Sequence, residues 1–314
     1  MMSSGTQAKL PVIDFSDPNL KPGSPEWDLA KHQVRQAMEE YSCFEALFDQ
    51  VVELRNEVMV ALEEAFDLPL ETKRLYVSDK HFYGYFESTT GLLESLMVDE
   101  AQVADSIEQG LTTTLWPQGN ISFSKTLVSF TEVSSRLEKI IRRMILEIFG
   151  VDKYADELDD NTNYMLKLMK YNAPPYGKPT SGVFAHCDKN MVTLLYQNEV
   201  DGLQIQNKDG EWMNIKPSPD SFIVMVGESF NALLNGGVSP TYHHVLMKGN
   251  NARYGLGLFS GTVTGYHVKA PDELVNDNNP ILFKPFDYEE YLGFYFAQVP
   301  LGRAGSTLQA YCGV

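Results

Sequence analysis

His186 and Asp188 stand two residues apart, and a pair of histidines, His243 and His244, follows much later in the chain. Residues two apart on a strand point to the same face of a sheet. A strand-like apolar run at 183–185 precedes His186, and further strand-like runs follow it. A fold that brings a later histidine to His186 and Asp188 must place distant strands side by side. This requirement restricts the chain to a core built on sheets.

Two histidines and one carboxylate on one face can bind a metal ion and leave further coordination positions open. That ligand arrangement is typical of non-heme Fe(II) oxygenases. The alternative is a structural histidine beside a turn aspartate, since a His-x-Asp pattern also arises by chance. Neighbouring residues on a strand face opposite ways, so only one of His243 and His244 can point inward.

Three helices are predicted in the first half of the chain. Ser24 followed by Pro25 is typical of a helix start, and this helix is predicted to run to about Phe44. A second helix is predicted at 51–66. The clearest helix carries an apolar stripe at helical spacing and ends at Gly150. The stripe consists of Leu127, Phe130, Val133, Leu137, Ile140, Ile141, Met144, Ile145 and Ile148.

Residues from about 164 to 268 form short strand-like runs separated by turns. The turn sequences at 208–210 and 248–251 predict hairpins. Many short strands at regular spacing predict a closed or double-sheet architecture such as the jelly roll. The predicted fold class is therefore mainly β with flanking helices, an α+β arrangement. The aromatic segment from 287 to about 296 is predicted to form a helix that closes over the site.

The composition is that of a globular protein with an acidic surface, with 43% hydrophobic residues and a net charge of −17. The acidic balance argues against binding to nucleic acid and to an anionic membrane surface. Three scattered cysteines suit a reducing compartment, and no secretory signal or membrane-spanning apolar run is visible. We therefore expect a cytoplasmic monomer whose partner is a small-molecule substrate.

These motifs resemble the plant-type 2-oxoglutarate- and Fe(II)-dependent dioxygenase superfamily. The pair Asn235-Gly236 eight residues before His243 and Arg253 ten residues after it fit the register of that family. The segment 306–313 and the residues around His243 look closest to the AOP-like subgroup, which is named for side-chain modifiers of glucosinolates. Further similar segments extend the resemblance over nearly the whole chain; they are 10–16, 66–73, 115–117, 200–205 and 226–228.

The resemblance implies a single dioxygenase domain at 1–314 with a double-stranded β-helix (jelly roll) core. In this domain, residues 1–160 are expected to be mostly helical with a first strand. Residues 161–270 are expected to form the β-helix core with the metal site, and residues 271–314 a C-terminal helix and tail.

The resemblance also implies an Fe(II) site. His186, Asp188 and His243 are the expected ligands, and His244 is expected to pack outward. The cosubstrate implied by the family is 2-oxoglutarate and the oxidant is O2, with ascorbate as a reductant that keeps the iron reduced.

Arg253 lies in an apolar stretch, and a buried guanidinium needs an anionic partner. That partner is a protein carboxylate or, as the resemblance implies, the distal carboxylate of 2-oxoglutarate. The family usually has serine where this chain has Gly255 and tyrosine where it has Asn172. Tyr171, Lys170 and Asn172 are therefore further candidates for contacts with the cosubstrate.

The implied reaction is oxidation of a C–H bond of a small plant specialised metabolite or hormone by hydroxylation, desaturation, ring closure or dealkylation. Succinate and CO2 would be released. The alternatives are an Fe(II) oxidase of the same fold that does not use 2-oxoglutarate, and a catalytically silent small-molecule-binding protein. The stretch 78–118 is predicted either to close over the site or to cover the outer sheet. The candidate pocket residues, each of which could equally belong to the ordinary core, are Phe82, Tyr83, Tyr85, Trp116, Phe184, Phe259, Phe294 and Tyr295.

Overall fold

The computed structural model describes residues 9–80, 83–298 and 307–314. Its strands are β1 (Val12–Asp14), β2 (Cys43–Leu47), β3 (Gly84–Glu87), β4 (Leu93–Val98), β5 (Thr162–Tyr171), β6 (Thr180–His186), β7 (Val192–Gln197), β8 (Leu203–Gln206), β9 (Trp212–Asn214), β10 (Ser221–Val226), β11 (His243–Met247), β12 (Arg253–Thr262), β13 (His267–Val268) and β14 (Phe286–Asp287). Its α-helices are α1 (Pro25–Tyr41), α2 (Arg55–Asp67), α3 (Leu70–Lys73), α4 (Thr113–Leu115), α5 (Ile121–Ile148), α6 (Ala155–Asp160), α7 (Glu228–Leu233), α8 (Tyr288–Gln298) and α9 (Thr307–Cys312).

Most of the strands lie in two sheets. The larger sheet has the order β1-β2-β10-β7-β12-β5-β4-β3, and the smaller has the order β6-β11-β8-β9. The central strands of the larger sheet, from β10 to β5, are antiparallel, as are all pairs of the smaller sheet. Apolar side chains of both sheets meet in one buried cluster that includes Met169, Leu195, Leu203, Ile205 and Val245. The predicted jelly-roll core with flanking helices is confirmed.

The outer face of the larger sheet packs against helices. Leu168 of β5 and Leu256 of β12 are buried in the same cluster as the apolar stripe of α5. Burial of each such leucine contributes about 1.5–3 kcal/mol of transfer free energy. The stripe is therefore part of the core, as predicted, and α5 supports the sheet from the side opposite the smaller sheet.

Helix α1 begins where the sequence predicts, because Ser24 Oγ accepts a hydrogen bond from the backbone N of Trp27 at 3.1 Å. It ends at Tyr41, and Ser42 adopts a left-handed φ of 59°. The predicted end near Phe44 was wrong, since that residue lies in β2. Phe44 packs on the helical side of the sheet and Cys43 on the other, an alternation typical of a strand.

Two further expectations needed correction. The turn at 208–210 does join the paired strands β8 and β9, but the turn at 248–251 is not a hairpin, because β11 and β12 belong to different sheets. The described part of residues 1–160 contributes four strands to the larger sheet, whereas the expectation named only a first strand. The stretch 78–118 holds β3 and β4, and β4 pairs with β5 along its whole length. Residues 84–87 and 93–98 of this stretch therefore belong to the larger sheet.

Candidate metal centre and its surroundings

His186, Asp188 and His243 converge at one end of the space between the two sheets. His186 and His243 are cross-strand partners on β6 and β11, so their side chains lie on the same face. One ligand atom from each of the three residues lies within 4.8 Å of the other two. The distances from Asp188 Oδ1 are 3.5 Å to His186 Nε2 and 3.9 Å to His243 Nε2.

Hydrogen bonds behind the three side chains fix their orientation. The Nδ1 atoms of His186 and His243 face the carbonyl oxygens of Phe184 at 2.8 Å and Thr241 at 3.0 Å. A carbonyl oxygen can only accept, so each Nδ1 carries a proton and Nε2 is the nitrogen of each ring that is placed to bind a metal. Thr193 Oγ1 donates to Asp188 Oδ2 at 2.6 Å, which leaves Oδ1 turned toward the histidines.

Protonation states also suit a metal. Burial lowers the pKa of His243 to about 4, so its imidazole is neutral at pH 7. Burial alone would raise the pKa of Asp188, but the His243 and His186 rings and the Thr193 hydroxyl together hold it below its usual range. Two imidazoles and one carboxylate form a donor set that fits Fe(II).

His244 points away from this centre. Its ring stacks on Trp212 with 4.0 Å between centroids and 3° between planes. Its Nε2 donates to Gln204 Oε1 at 2.5 Å. The prediction that His243 points inward and His244 packs outward is confirmed.

A buried ion pair lies directly behind Asp188. Lys189 Nζ is 2.9 Å from Glu228 Oε2 and donates to the carbonyl oxygen of Cys187, also at 2.9 Å. The backbone N of Glu228 donates to the carbonyl oxygen of Asp188 at 2.8 Å. Helix α8 joins this network, because the Tyr291 hydroxyl donates to Glu228 and the Tyr295 ring lies 4.5 Å from Lys189 Nζ. The predicted C-terminal aromatic helix therefore exists and contacts the loop that carries Asp188.

Replacement of Lys189 by methionine is expected to destabilise the metal-free protein by about 3–5 kcal/mol, because Glu228 is left buried without its cation. A matched control is Lys216→Met, which breaks an exposed pair with Asp201 at 3.1 Å and should cost less than about 1 kcal/mol. Urea unfolding of both variants measures the two free energies. Equal small losses would show that the Lys189–Glu228 pair contributes no more than a surface pair.

Arg253 is buried further along the same interior, with 1% of its surface exposed. Its Nε and Nη2 donate to Gln197 Oε1 at 3.2 and 2.6 Å, and its guanidinium carbon lies 5.1 Å from the centre of the Tyr171 ring. Burial lowers the pKa of Arg253. Among the residues that the structure describes, no carboxylate lies within ion-pair distance of this guanidinium. A buried cation held only by neutral groups is a site for an anionic ligand.

Gln197 holds the guanidinium in place beside Gly255. Its Nε2 donates to the carbonyl oxygens of Asn198 and Val200, both at 3.1 Å, which turns its Oε1 toward Arg253. A Cβ at Gly255, the cross-strand partner of Gln197, would lie 3.1 Å from the carbonyl oxygen of Tyr196. The strand β7 therefore approaches Gly255 so closely that the absence of a side chain there is favourable. Gln197 provides a polar group near Arg253, and the sequence alone did not indicate this contact.

The three further candidates for cosubstrate contacts separate. Tyr171 is the cross-strand partner of Arg253, and its ring lies against the guanidinium. Lys170 faces the other side of β5, where its Nζ lies 3.6 Å from Asp67. Asn172 is occupied at the strand end, where its Nδ2 donates to the carbonyl oxygen of Gly91 at 2.9 Å. Lys170 and Asn172 are therefore not brought to the site.

The aromatic pocket candidates also divide. Tyr83 and Phe259 lie on the inner face, in a cluster with Met97, Met165 and Tyr288, and Tyr295 contacts Lys189 as described above. Phe184 lies at a bulge of β6 with 84% of its surface exposed, which places it near His186 but outside the packed interior. Phe82 lies outside the described residues.

The other three candidates point elsewhere. Tyr85 donates to Glu94 on the outer face at 2.9 Å. Trp116 packs on Phe123 with 4.6 Å between ring centroids. Phe294 packs on Tyr311 at 5.0 Å. These three residues make ordinary packing contacts away from the metal centre.

The fold and the three ligands define a non-heme Fe(II) oxygenase. Residues 162–262 match the 2OG-Fe(II) oxygenase superfamily, and residues 10–120 match the model described as non-haem dioxygenase in morphine synthesis N-terminal. The Arabidopsis thaliana protein named probable 2-oxoglutarate-dependent dioxygenase AOP1.2 is 46% identical, over 96% of this chain and 95% of its own. The 2-oxoglutarate-dependent dioxygenase AOP3 of the same plant is 31% identical, over 98% of each chain.

Solved structures share the fold. The rice dioxygenase for auxin oxidation has a TM-score of 0.81 at 23% identity, over 98% of this chain and all of its own. The binary complex of the Arabidopsis thaliana dioxygenase for auxin oxidation 1 with 2-oxoglutarate has a TM-score of 0.77 at 21% identity, over 86% of this chain and 99% of its own.

The chain therefore belongs to the 2OG-Fe(II) oxygenase superfamily and, within it, to the plant AOP-like dioxygenases. It is a 2-oxoglutarate-dependent dioxygenase that uses Fe(II), 2-oxoglutarate and O2. None of the described helices is both long and apolar enough to cross a membrane.

Proposed function

We propose that this dioxygenase oxidises a C–H bond of a small plant specialised metabolite or hormone. His186, Asp188 and His243 bind Fe(II), and Arg253 binds the distal carboxylate of 2-oxoglutarate. The observation that carries these assignments is a three-ligand face in the same interior as a buried guanidinium that pairs with no carboxylate of the described chain.

When bound, Fe(II) and 2-oxoglutarate supply the oxidation of the substrate by O2, with release of succinate and CO2. The protein supplies position and exclusion of water. Gln197 and the Tyr171 ring hold the guanidinium of Arg253 in place before the cosubstrate binds. The Arg253 side chain therefore loses less conformational entropy when 2-oxoglutarate binds. Met165 and Phe259 form an apolar surface on the inner face of the larger sheet. This surface favours a largely apolar substrate.

The reaction outcome is proposed as hydroxylation, desaturation, ring closure or dealkylation. The relatives of known name come from a plant, which supports a plant metabolite as substrate. The acidic net charge of −17 supports a monomer that binds neither nucleic acid nor anionic membranes. The three scattered cysteines support a cytoplasmic location.

Incubation of the protein with a plant metabolite extract tests the proposal. With Fe(II) and 2-oxoglutarate present, succinate should form faster with the extract than without it. Mass spectrometry should show a metabolite that gains one oxygen, loses two hydrogens or loses an alkyl group. Omission of iron, or the variant Asp188→Ala, should remove both changes. A metabolite that changes equally without 2-oxoglutarate would instead indicate an oxidase that does not need the cosubstrate.

A further inference from the structure

Tyr288, the first residue of helix α8, packs on the inner face of the larger sheet. A Cβ at Gly261 of β12 would lie 2.4 Å from Cε1 of the Tyr288 ring, so the ring lies directly against this strand. The side chain is 4% exposed and belongs to the inner cluster that includes Met165. The glycine at 261 therefore leaves the space that this ring fills.

The start of helix α8 fixes the position of this tyrosine. Asp287 Oδ1 accepts hydrogen bonds from the backbone N of Glu289 at 2.8 Å and of Glu290 at 3.1 Å, as a helix N-cap does. Asp287 Oδ2 accepts a hydrogen bond from the backbone N of Gly265 at 2.6 Å. The backbone that carries Tyr288 is therefore ordered before a ligand binds, so less conformational entropy is lost on binding.

Two buried hydroxyls of this cluster lack a strong acceptor. Among the described residues, the Tyr288 hydroxyl has only the sulfur of Met165 as acceptor, at 3.8 Å, and a thioether is a weak acceptor. Tyr83 belongs to the same cluster and is 8% exposed. Within the described part of the chain, its hydroxyl has no hydrogen-bond partner of ordinary geometry. Buried hydroxyls are nearly always paired, so these two indicate a ligand that supplies the acceptor.

Tyr288 lies close to the metal centre. Phe259 on β12 is the cross-strand partner of Thr193, and Thr193 donates to Asp188. Gly261, which the Tyr288 ring covers, lies two residues further along the same face of β12. Strand and residue spacings put the Cα atoms of Gly261 and Thr193 on the order of 8 Å apart. A small molecule that contacts the Tyr288 hydroxyl can therefore also reach the metal.

The chemistry of this wall favours an uncharged oxygen as the acceptor. Burial raises the pKa of Tyr83 and of Tyr288, so both hydroxyls keep their protons at pH 7. Their neighbours Met165 and Phe259 are apolar, and Lys167 on the same strand face as Met165 already has a partner. Hydrogen bonds from neutral hydroxyls offset the desolvation of a carbonyl, alcohol or ether oxygen, but only part of the desolvation of an anion.

We propose that the Tyr288 hydroxyl donates a hydrogen bond to an uncharged carbonyl, alcohol or ether oxygen of the primary substrate. The Tyr83 hydroxyl is a second donor, and Phe259 packs against the apolar part of the substrate. The distance from this oxygen to the metal then sets which carbon of the substrate reacts. The inference rests on the proposed function, because it assumes that Fe(II) and 2-oxoglutarate occupy the adjacent site.

Binding of matched ligands to the loaded protein tests this assignment. The protein is first titrated with Mn(II), as a redox-stable substitute for Fe(II), and then with 2-oxoglutarate. Proton relaxation of the ligands then measures their binding in two series, each of which compares a ketone, a hydrocarbon and an anion of similar shape. The first series is 4-phenylbutan-2-one, 3-methylbutylbenzene and 3-phenylpropanoate, and the second is 2-acetylnaphthalene, 2-isopropylnaphthalene and 2-naphthoate. Protein loaded with diamagnetic Zn(II) shows which part of the relaxation comes from the metal and therefore from ligand bound beside it.

The variant Tyr288→Phe should weaken binding of a ketone relative to its hydrocarbon by about 3- to 10-fold, the range for a hydrogen bond between uncharged groups. Tyr83→Phe should lower the same ratio by a smaller factor. Tyr85→Phe is the matched control, because it removes a hydroxyl that donates to Glu94 on the outer face of the sheet. This control should leave the ratio of ketone to hydrocarbon binding unchanged.

Three results would overturn the assignment. They are an unchanged ratio in Tyr288→Phe, no binding of either ketone to the loaded parent, and tighter binding of an anion than of its matched ketone. Failure of the Mn(II) or 2-oxoglutarate titration in the parent would instead refute the proposed function. Unchanged loading of Tyr288→Phe with both shows that this variant is folded.

Discussion

Replacement of His243 by alanine is expected to abolish turnover and to weaken metal binding by more than about 100-fold, since loss of a second-layer partner alone costs 10- to 100-fold. The change removes one of three converging ligands, and His186 and Asp188 alone provide only two ligand atoms for the ion. Equilibrium titration with Mn(II) and measurement of succinate release check the two expectations separately.

His244→Ala is the matched control for this experiment. It removes a histidine from the adjacent position, together with the stack on Trp212 and the hydrogen bond to Gln204. The variant should keep much of both metal binding and activity, with a modest loss of stability. Reversal of the two results would mean that His244 is the ligand.

Replacement of Arg253 by methionine is expected to raise the apparent constant for 2-oxoglutarate by roughly 30-fold to several thousand-fold. This range corresponds to the cost of about 2–5 kcal/mol for removing one partner of a buried, hydrogen-bonded charge pair. The apparent constant for the primary substrate should change far less. Succinate release as a function of 2-oxoglutarate concentration measures the effect.

Lys170→Met is a suitable control for Arg253→Met. Both changes remove a cation near the end of the paired strands β5 and β12, but Lys170 faces outward toward Asp67. The control should leave the dependence on 2-oxoglutarate unchanged. If Arg253→Met also leaves it unchanged, the guanidinium binds something other than the cosubstrate.

Local sequence information predicted part of the arrangement in which His186, Asp188 and His243 converge. His186 and Asp188 stand two apart beside a strand, and alternation alone requires that His243 and His244 face opposite ways. The long helix was equally accessible, because an apolar stripe over many turns leaves few alternatives. Helix starts with Ser followed by Pro are also local signals, and α1 begins at Pro25 as predicted.

The missed features depend on pairing between distant segments. Strands β3 and β4 are short, and only their pairing with β5 makes them part of the sheet. The turn at 248–251 has the residues of a hairpin turn, but β11 pairs within the smaller sheet and β12 within the larger sheet, so the two strands do not pair with each other. Gln197 is a further example, because the inner face of a strand is defined only once its neighbours are known.

The contact between helix α8 and the loop that carries Asp188 makes iron binding and helix docking reciprocal. Tyr291 reaches Glu228, and Glu228 holds both Lys189 and the backbone of Asp188. If the docked helix increases affinity for iron by some factor, bound iron must favour docking of the helix by the same factor. The C-terminal segment thus shares in the metal site without supplying a ligand, and metal-loaded protein should resist proteolysis within α8 better than metal-free protein does.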